Sequence, residues 1–207
     1  MNTLQLFNAV EQSVIDCCIA DYTARLTYDT LTMCKTDPGD SLAPLTTLIE
    51  KAFNKKLEYR SGNFYKHTKP YLPHTDFKTY QDNTINVVIP LWHNSINVPH
   101  LVIFDQVWEQ DSVTWCMDYP VQYFSTNIGV KGRPSEYPVK HLTDSPIDNK
   151  LYQDHLSHYS KFSLDKLSGI AHSFEVGSLI MFDNRRIHCT SNFLGEKLGI
   201  SLRFKEL

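Results

Sequence analysis

Net charge is nearly absent from this 207-residue chain: 20 Lys and Arg stand against 23 Asp and Glu, a formal −3. That balance gives no overall pull toward phosphate backbones or anionic lipid, so nucleic acid is not indicated as a partner. Long apolar runs are missing as well. None reaches the roughly 18 residues a membrane span requires, and the opening MNTLQLFNAVEQSVID lacks the basic n-region of a secretory signal. The cysteines, Cys17, Cys18, Cys34, Cys116 and Cys189, are odd in number and show no C-x-x-C spacing for zinc or redox work. Reduced thiols, a cytoplasmic location and no membrane contact are the expectation.

What is present describes a folded chain. Apolar residues make up 42% and charged residues 21%, close to average globular usage, which excludes disorder and low-complexity classes. The length suits a single domain over 1–207. Leu45, Leu48, Ile49, Ala52 and Phe53 recur at helical spacing behind Ser41 and Pro44, predicting an amphipathic helix over 42–56, with a second over 4–20. Residues 1–58 thus read as a mostly helical support. From Tyr59 the period changes, and TINVVIPL (84–91), HLVIF (100–104), GSLIMFD (177–183) and LGISLRF (198–204) read as short strands bounded by turn residues. Between them, 105–171 reads as an elaborated insertion, with one helix over 149–160 and with Trp108, Trp115 and Tyr123 expected at a substrate entrance. Helices first and strands afterwards, without alternation, predict a mainly β chain with flanking helices: an antiparallel sandwich or barrel.

Three places can carry chemistry. His74-Thr75-Asp76 puts an imidazole and a carboxylate on one side of a strand end, so that both reach one metal ion. Composition alone yields about one such pair from nine histidines, so its weight comes from the apolar strand that follows it. A strand over 177–183 leads next through a turn to His188. Two histidines and a carboxylate form the facial triad of non-haem iron sites, with open positions for substrate and oxygen. The third place is the last strand, where Leu198, Ile200, Leu202 and Phe204 share one face and Gly199, Ser201 and Arg203 the other. A guanidinium inside a barrel calls for an anion, and a ligand carboxylate fits its planar fork. His93, His100, His141, His155, His158 and His172 read as background.

His74-x-Asp76, then GSLIMFDNRRIH ending in His188, then a basic residue on the last strand, resembles the iron(II)/2-oxoglutarate-dependent oxygenases, closest to the small hydroxylases and phytanoyl-type relatives, over about 59–207. The resemblance implies a double-stranded β-helix (jelly-roll, cupin-like) barrel. It also implies that His74, Asp76 and His188 ligate Fe(II), and that molecular oxygen and 2-oxoglutarate are consumed to oxidise a small molecule or side chain, with release of succinate. A carboxylate at position 76 implies hydroxylation, since halogenating relatives lack it. Arg203, with Ser201 beside it, is the implied anchor for the cosubstrate. Lys197, on the same strand parity, is its rival. A cupin-like metal protein without 2-oxoglutarate and a catalytically silent binding domain remain the alternatives.

Overall fold

The computed structural model describes residues 3–25, 33–36, 42–75, 84–108, 113–116, 123–126, 131–132, 139–140 and 143–207. Every pairing among the described strands is antiparallel. The larger sheet holds six: β1 (Leu4–Leu6), β11 (Leu179–Asp183), β4 (Thr84–His93), β13 (Lys197–Glu206), β3 (Leu57–His67) and β2 (Met33–Thr36), in that spatial order. The smaller sheet runs β10 (Gly169–Ser173), β5 (His100–Trp108), β12 (Arg186–Thr190), and β9 (Val139–Lys140) also pairs with β5. A separate meander joins β6 (Val113–Cys116), β7 (Tyr123–Thr126) and β8 (Lys131–Gly132). This is a jelly-roll arrangement of two facing sheets, as the sequence predicts.

β13 shows why the sequence folds this way. It is central, paired with β3 on one side and β4 on the other, and its alternation sorts side chains into two environments. Leu198, Ile200, Leu202 and Phe204 join Ile85, Val87, Ile89 and Leu91 of β4 on the outer face. Two helices cover that face, α1 (Gln12–Arg25) through Ile15, Cys18 and Tyr22, and α2 (Leu42–Phe53) through Leu42, Leu45, Ile49 and Phe53. Fully burying a side chain of this size contributes roughly 1.5–3 kcal/mol, so the outer face is where most of the apolar stabilisation lies. The space between the sheets is filled differently. Val88, Leu101, Ile103, Phe174, Ile180 and Phe182 form a smaller cluster with Tyr65 at its margin, and polar groups share that interior. Gly199 is required there, because a Cβ at this position would sit 2.5 Å from the Tyr65 hydroxyl.

α2 begins at the predicted residue and ends at Phe53, where Asn54 takes φ of 50°, a left-handed cap that stops the helix three residues short of expectation. The predicted helix over 4–20 is corrected. Leu4–Leu6 pairs with β11, and the amides of Ala9 and Val10 both donate to the Gly177 carbonyl before α1 opens at Gln12. Edge pairing satisfies this backbone before a helix can form, so the described part of residues 1–58 holds β1 and β2 besides α1 and α2, and β3 opens at Leu57. In the insertion, a helical segment runs Asn149–Leu156, capped by the Asp148 carboxylate accepting from the Leu151 amide at 2.8 Å. Trp108 does not face an entrance: it is 1% exposed, packed with Val102, Phe104, Ile147, Leu151 and Leu156. The side chains of Trp115 and Tyr123 lie outside the described residues. Among the described residues no helix is long and apolar enough to cross a membrane.

Candidate active site

His74 and His188 meet across a backbone bridge. Each amide donates to the other's carbonyl at 2.9 Å, which fixes the segment ending at His74 alongside β12 and brings the two rings to 4.3 Å between centroids. Both rings are oriented the same way. His74 Nδ1 lies 2.7 Å from the Leu72 carbonyl and His188 Nδ1 lies 3.0 Å from the Arg186 carbonyl. A carbonyl only accepts, so each Nδ1 carries the hydrogen and each Nε2 the lone pair. Backbone carbonyls hold metal-binding imidazoles in this tautomer. A separation of 4.3 Å also suits two rings sharing one ion at metal–nitrogen bonds of about 2.1 Å. Asp76 lies outside the described residues, and among the described residues no group of three His, Cys, Asp or Glu side chains converges on one point.

Aromatic rings wall the pair. Phe182 stands edge-on to His188 at 4.8 Å, Tyr71 stands edge-on to His74 at 4.6 Å, and Tyr71 stacks on His67 at 5.4 Å with 14° between planes. Tyr71 is itself pinned. Its amide donates to Thr190 Oγ1 at 2.8 Å, and its carbonyl accepts from the Tyr159 hydroxyl at 3.0 Å, so the insertion holds the segment that carries His74. Cys189, next to His188 but on the other face of β12, packs with Val102 and Phe104, and burial pushes its thiol far up. It is no rival ligand.

β13 carries two buried cations on its inner face. Lys197 is 2% exposed, with Nζ 4.4 Å from the Phe174 ring centroid, 5.5 Å from Phe193 and 5.9 Å from Tyr65. No carboxylate pairs with it among the described residues, and burial brings its pKa down to about 7. Its strand neighbours are His67 on β3 and His93 on β4. His67 is pushed down to about 4, first by burial, then by Lys197 and His74, and its buried Nδ1 has no hydrogen-bond partner. Arg203, 7% exposed, sits six residues further along, opposite Ser61 and Asn86. That is about 20 Å at the usual strand rise. Its Nη1 donates to Ser61 Oγ at 3.4 Å and, with the Asn63 carboxamide turned so that its nitrogen donates to the Gly62 carbonyl, to the Asn63 oxygen at 3.2 Å. Ser201, between them, is 8% exposed with Oγ unpartnered.

No family model matches the sequence, and no curated protein does. Solved structures do. SnoN, the non-haem alpha-ketoglutarate-dependent epimerase of nogalamycin biosynthesis, is similar at TM-score 0.58 and 9% identity, covering 98% of this chain and 78% of that one. The viral collagen prolyl hydroxylase of Paramecium bursaria Chlorella virus-1, solved with 2-oxoglutarate, is similar at 0.52 and 9% identity over 100% and 97%. HygX of Streptomyces hygroscopicus, solved with nickel and 2-oxoglutarate, is similar at 0.52 and 11% over 98% and 82%. The chain folds as these oxygenases do. In the double-stranded β-helix so defined, β3, β4, β11 and β13 form the core of one sheet, and β5, β10, β12 and the His74 segment form the other. The two imidazoles lie on the smaller sheet and the two cations on the larger. Sequence reading brings out both imidazoles and both cations. It misses His67, which follows Tyr65 at strand spacing in an unremarkable polar run, and the ring cage of Tyr65, Phe174 and Phe193 around Lys197, in which Tyr65 lies more than 100 residues before the other two rings.

Proposed function

We propose that the chain is an iron(II)/2-oxoglutarate-dependent oxygenase that hydroxylates a C–H bond of a small molecule or side chain. In this reading His74, Asp76 and His188 hold the iron, and Lys197 anchors the cosubstrate. The observation that carries it is the bridged imidazole pair, with both Nδ1–H groups tied to carbonyls, which puts the lone pair of each ring on Nε2. That donor set suits ferrous iron, and a carboxylate two residues after His74 completes a facial triad. Bound there, iron would supply the activation of oxygen, with 2-oxoglutarate converted to succinate and carbon dioxide.

The rest falls to the chain's own residues. The carbonyls of Leu72 and Arg186 keep the rings from turning, and the bridge keeps them at fixed separation, so no reorganisation is needed when ligands arrive. Phe182, fully buried, backs His188 edge-on, and Tyr71, half-exposed, stands edge-on to His74, so each ring of the pair has an aromatic neighbour that limits its motion. Lys197 is favoured over Arg203 as the anchor because its ammonium, caged by rings, has no carboxylate partner in the described structure, whereas Arg203 already donates to Ser61 and Asn63. A buried cation without a counter-charge is costly, and the distal carboxylate of a 2-oxo diacid removes that cost. SnoN, the viral hydroxylase and HygX, each named with 2-oxoglutarate, support the cosubstrate. The carboxylate at position 76 supports hydroxylation.

The test is an anaerobic titration with ferrous iron and then 2-oxoglutarate, followed by visible absorption. The wild-type protein should develop a charge-transfer band, and His188→Ala should bind iron at least about 100-fold more weakly, at the upper end of the losses known for residues that tune metal sites. Succinate release in air should follow the band. Absence of the band in wild-type protein, or an undiminished band in both His74→Ala and His188→Ala, would remove this reading.

A further inference from the structure

We infer that His67 is a second donor to the distal carboxylate of the cosubstrate, so that the anion is held by two groups, Lys197 Nζ and His67 Nδ1. This rests on the cosubstrate reading of the same site. His67 closes β3 directly opposite Lys197 in register, and directly opposed residues on a sheet project from the same face with Cβ atoms about 5 Å apart. The ring cannot wander, since Tyr71 stacks on it at 5.4 Å and Tyr65 lies against it at 5.0 Å. Yet Nδ1, buried, has no partner. An unsatisfied buried polar atom costs about 1–3 kcal/mol, so this one calls for a partner, and its place opposite a buried lysine points to an anion.

The chemistry of the ligand follows from what surrounds that nitrogen. Burial keeps the imidazole neutral at pH 7, so it offers one N–H and one lone pair, and it faces an ammonium that has no acceptor of its own. A carboxylate supplies what both lack. It has two oxygens, each able to accept, so one meets Nζ and the other Nδ1–H. His93 flanks Lys197 from the opposite strand, but its Nδ1 already bonds to Ser95 Oγ at 3.0 Å. Of the two histidines that flank Lys197, it is therefore the one on β3 whose Nδ1 is unmet. A two-donor clamp of this kind selects 2-oxo acids that end in a second carboxylate over those with short or apolar tails.

The experiment uses the full-length, zinc-loaded protein, in which oxygen chemistry is silent, and calorimetry with two ligands: 2-oxoglutarate, and pyruvate, which keeps the 2-oxo acid head but lacks the distal carboxylate. His67→Phe preserves the ring and its stacking while removing both nitrogens. It should weaken 2-oxoglutarate about tenfold and leave pyruvate unchanged, and His67→Gln, which restores a donor, should recover part of the loss. In the wild-type protein, 15N-labelled at histidine, a protected Nδ1–H signal from His67 should appear with 2-oxoglutarate and not with pyruvate; this reading stands even if the phenylalanine variant fails to fold. Equal losses for both ligands would make His67 a packing residue. Undiminished 2-oxoglutarate binding in His67→Phe, beside a large loss in Lys197→Met, would overturn the second donor alone. Undiminished binding in Lys197→Met would instead overturn the cosubstrate reading, and this inference with it.

Discussion

The two ends of the inner face of β13 are alike in sequence and unlike in chemistry. Each presents a cation that is more than nine-tenths buried, Lys197 at one end and Arg203 at the other. Around Arg203 the chain has placed a hydroxyl and a carboxamide within reach of Nη1, supplied by Ser61 and Asn63 of the neighbouring strand. Around Lys197 it has placed rings, and one of its two strand neighbours, His67, is itself left with an unmet nitrogen. Burial alone therefore does not mark an anion site. The difference lies in what surrounds each charge: polar side chains of the neighbouring strand reach Arg203, and aromatic rings surround Lys197.

The largest expected effect separates the ends by sign. Lys197→Met keeps the length and apolar stem of the side chain and deletes the charge, so 2-oxoglutarate affinity should fall by at least about 100-fold, the value of a lost charge-assisted contact. The ligand-free protein should at the same time become more stable, by about 1–4 kcal/mol, because an uncompensated buried charge is replaced by a group the cage prefers. Arg203→Met should do the reverse, losing stability because Ser61 and Asn63 then have no donor to accept from. Thermal unfolding beside calorimetry reads both quantities. Loss of stability in Lys197→Met would mean that the cage is built for the ammonium and not for what it binds.

A second contrast is in pH. Burial holds Lys197 near 7 against an ordinary 10.5. The unfolded chain thus binds more protons than the folded one between about pH 7 and 10.5, and lysine linkage makes the ligand-free protein more stable as pH rises through that window. Binding has the opposite slope. A carboxylate beside Nζ restores the charged form, so above pH 7 each 2-oxoglutarate bound takes up a proton, and its affinity should fall about tenfold per pH unit from 7 to 9. The groups facing Lys197 do not confuse the window: His67 titrates near 4, His93 is lowered by burial and by Lys197, and Cys189 is held protonated by burial. Lys197→Arg, charged at every accessible pH, should flatten the profile. A slope that persists in Lys197→Arg would move the titrating group elsewhere.

How much of this was legible in the sequence varies with the distance over which each feature is decided. The two faces of β13 and the helix α2 follow from local periodicity, and both are read correctly from Leu198–Phe204 and Leu45–Phe53. His74 and His188 were legible as an ordered pair because an apolar strand follows the first and another leads through a turn to the second. Leu4–Leu6 was not, because three residues carry no period and their pairing with β11 is fixed by partners some 175 positions away. Trp108 was read as a substrate contact and is core, since its role is set by the helical segment over 149–156 that packs on it. His67 had no signal at all. Its meaning comes from register with a lysine 130 residues later, and register across a sheet is written in the whole strand, not in the residue.

The smallest expected effect bears most directly on the two ends. Arg203→Lys keeps a cation on the inner face but loses the planar fork that spans Ser61 and Asn63. If Arg203 were the anchor, the same change would cost roughly 1.5–3 kcal/mol of 2-oxoglutarate binding, about ten- to a hundred-fold. With Lys197 as the anchor, about 20 Å along the strand, the loss should stay under about threefold, while unfolding shifts by no more than the few degrees that about 1 kcal/mol produces. The measurement is a 2-oxoglutarate titration of the iron-loaded protein without oxygen, with wild type, Arg203→Lys and Lys197→Met run side by side. A tenfold or greater loss in Arg203→Lys, with Lys197→Met near wild type, would exchange the roles of the two ends and return the anchor to the arginine. A small loss in Arg203→Lys beside a large one in Lys197→Met leaves Arg203 to its strand neighbours, a structural cation at the far end of a face whose other end is built for a ligand.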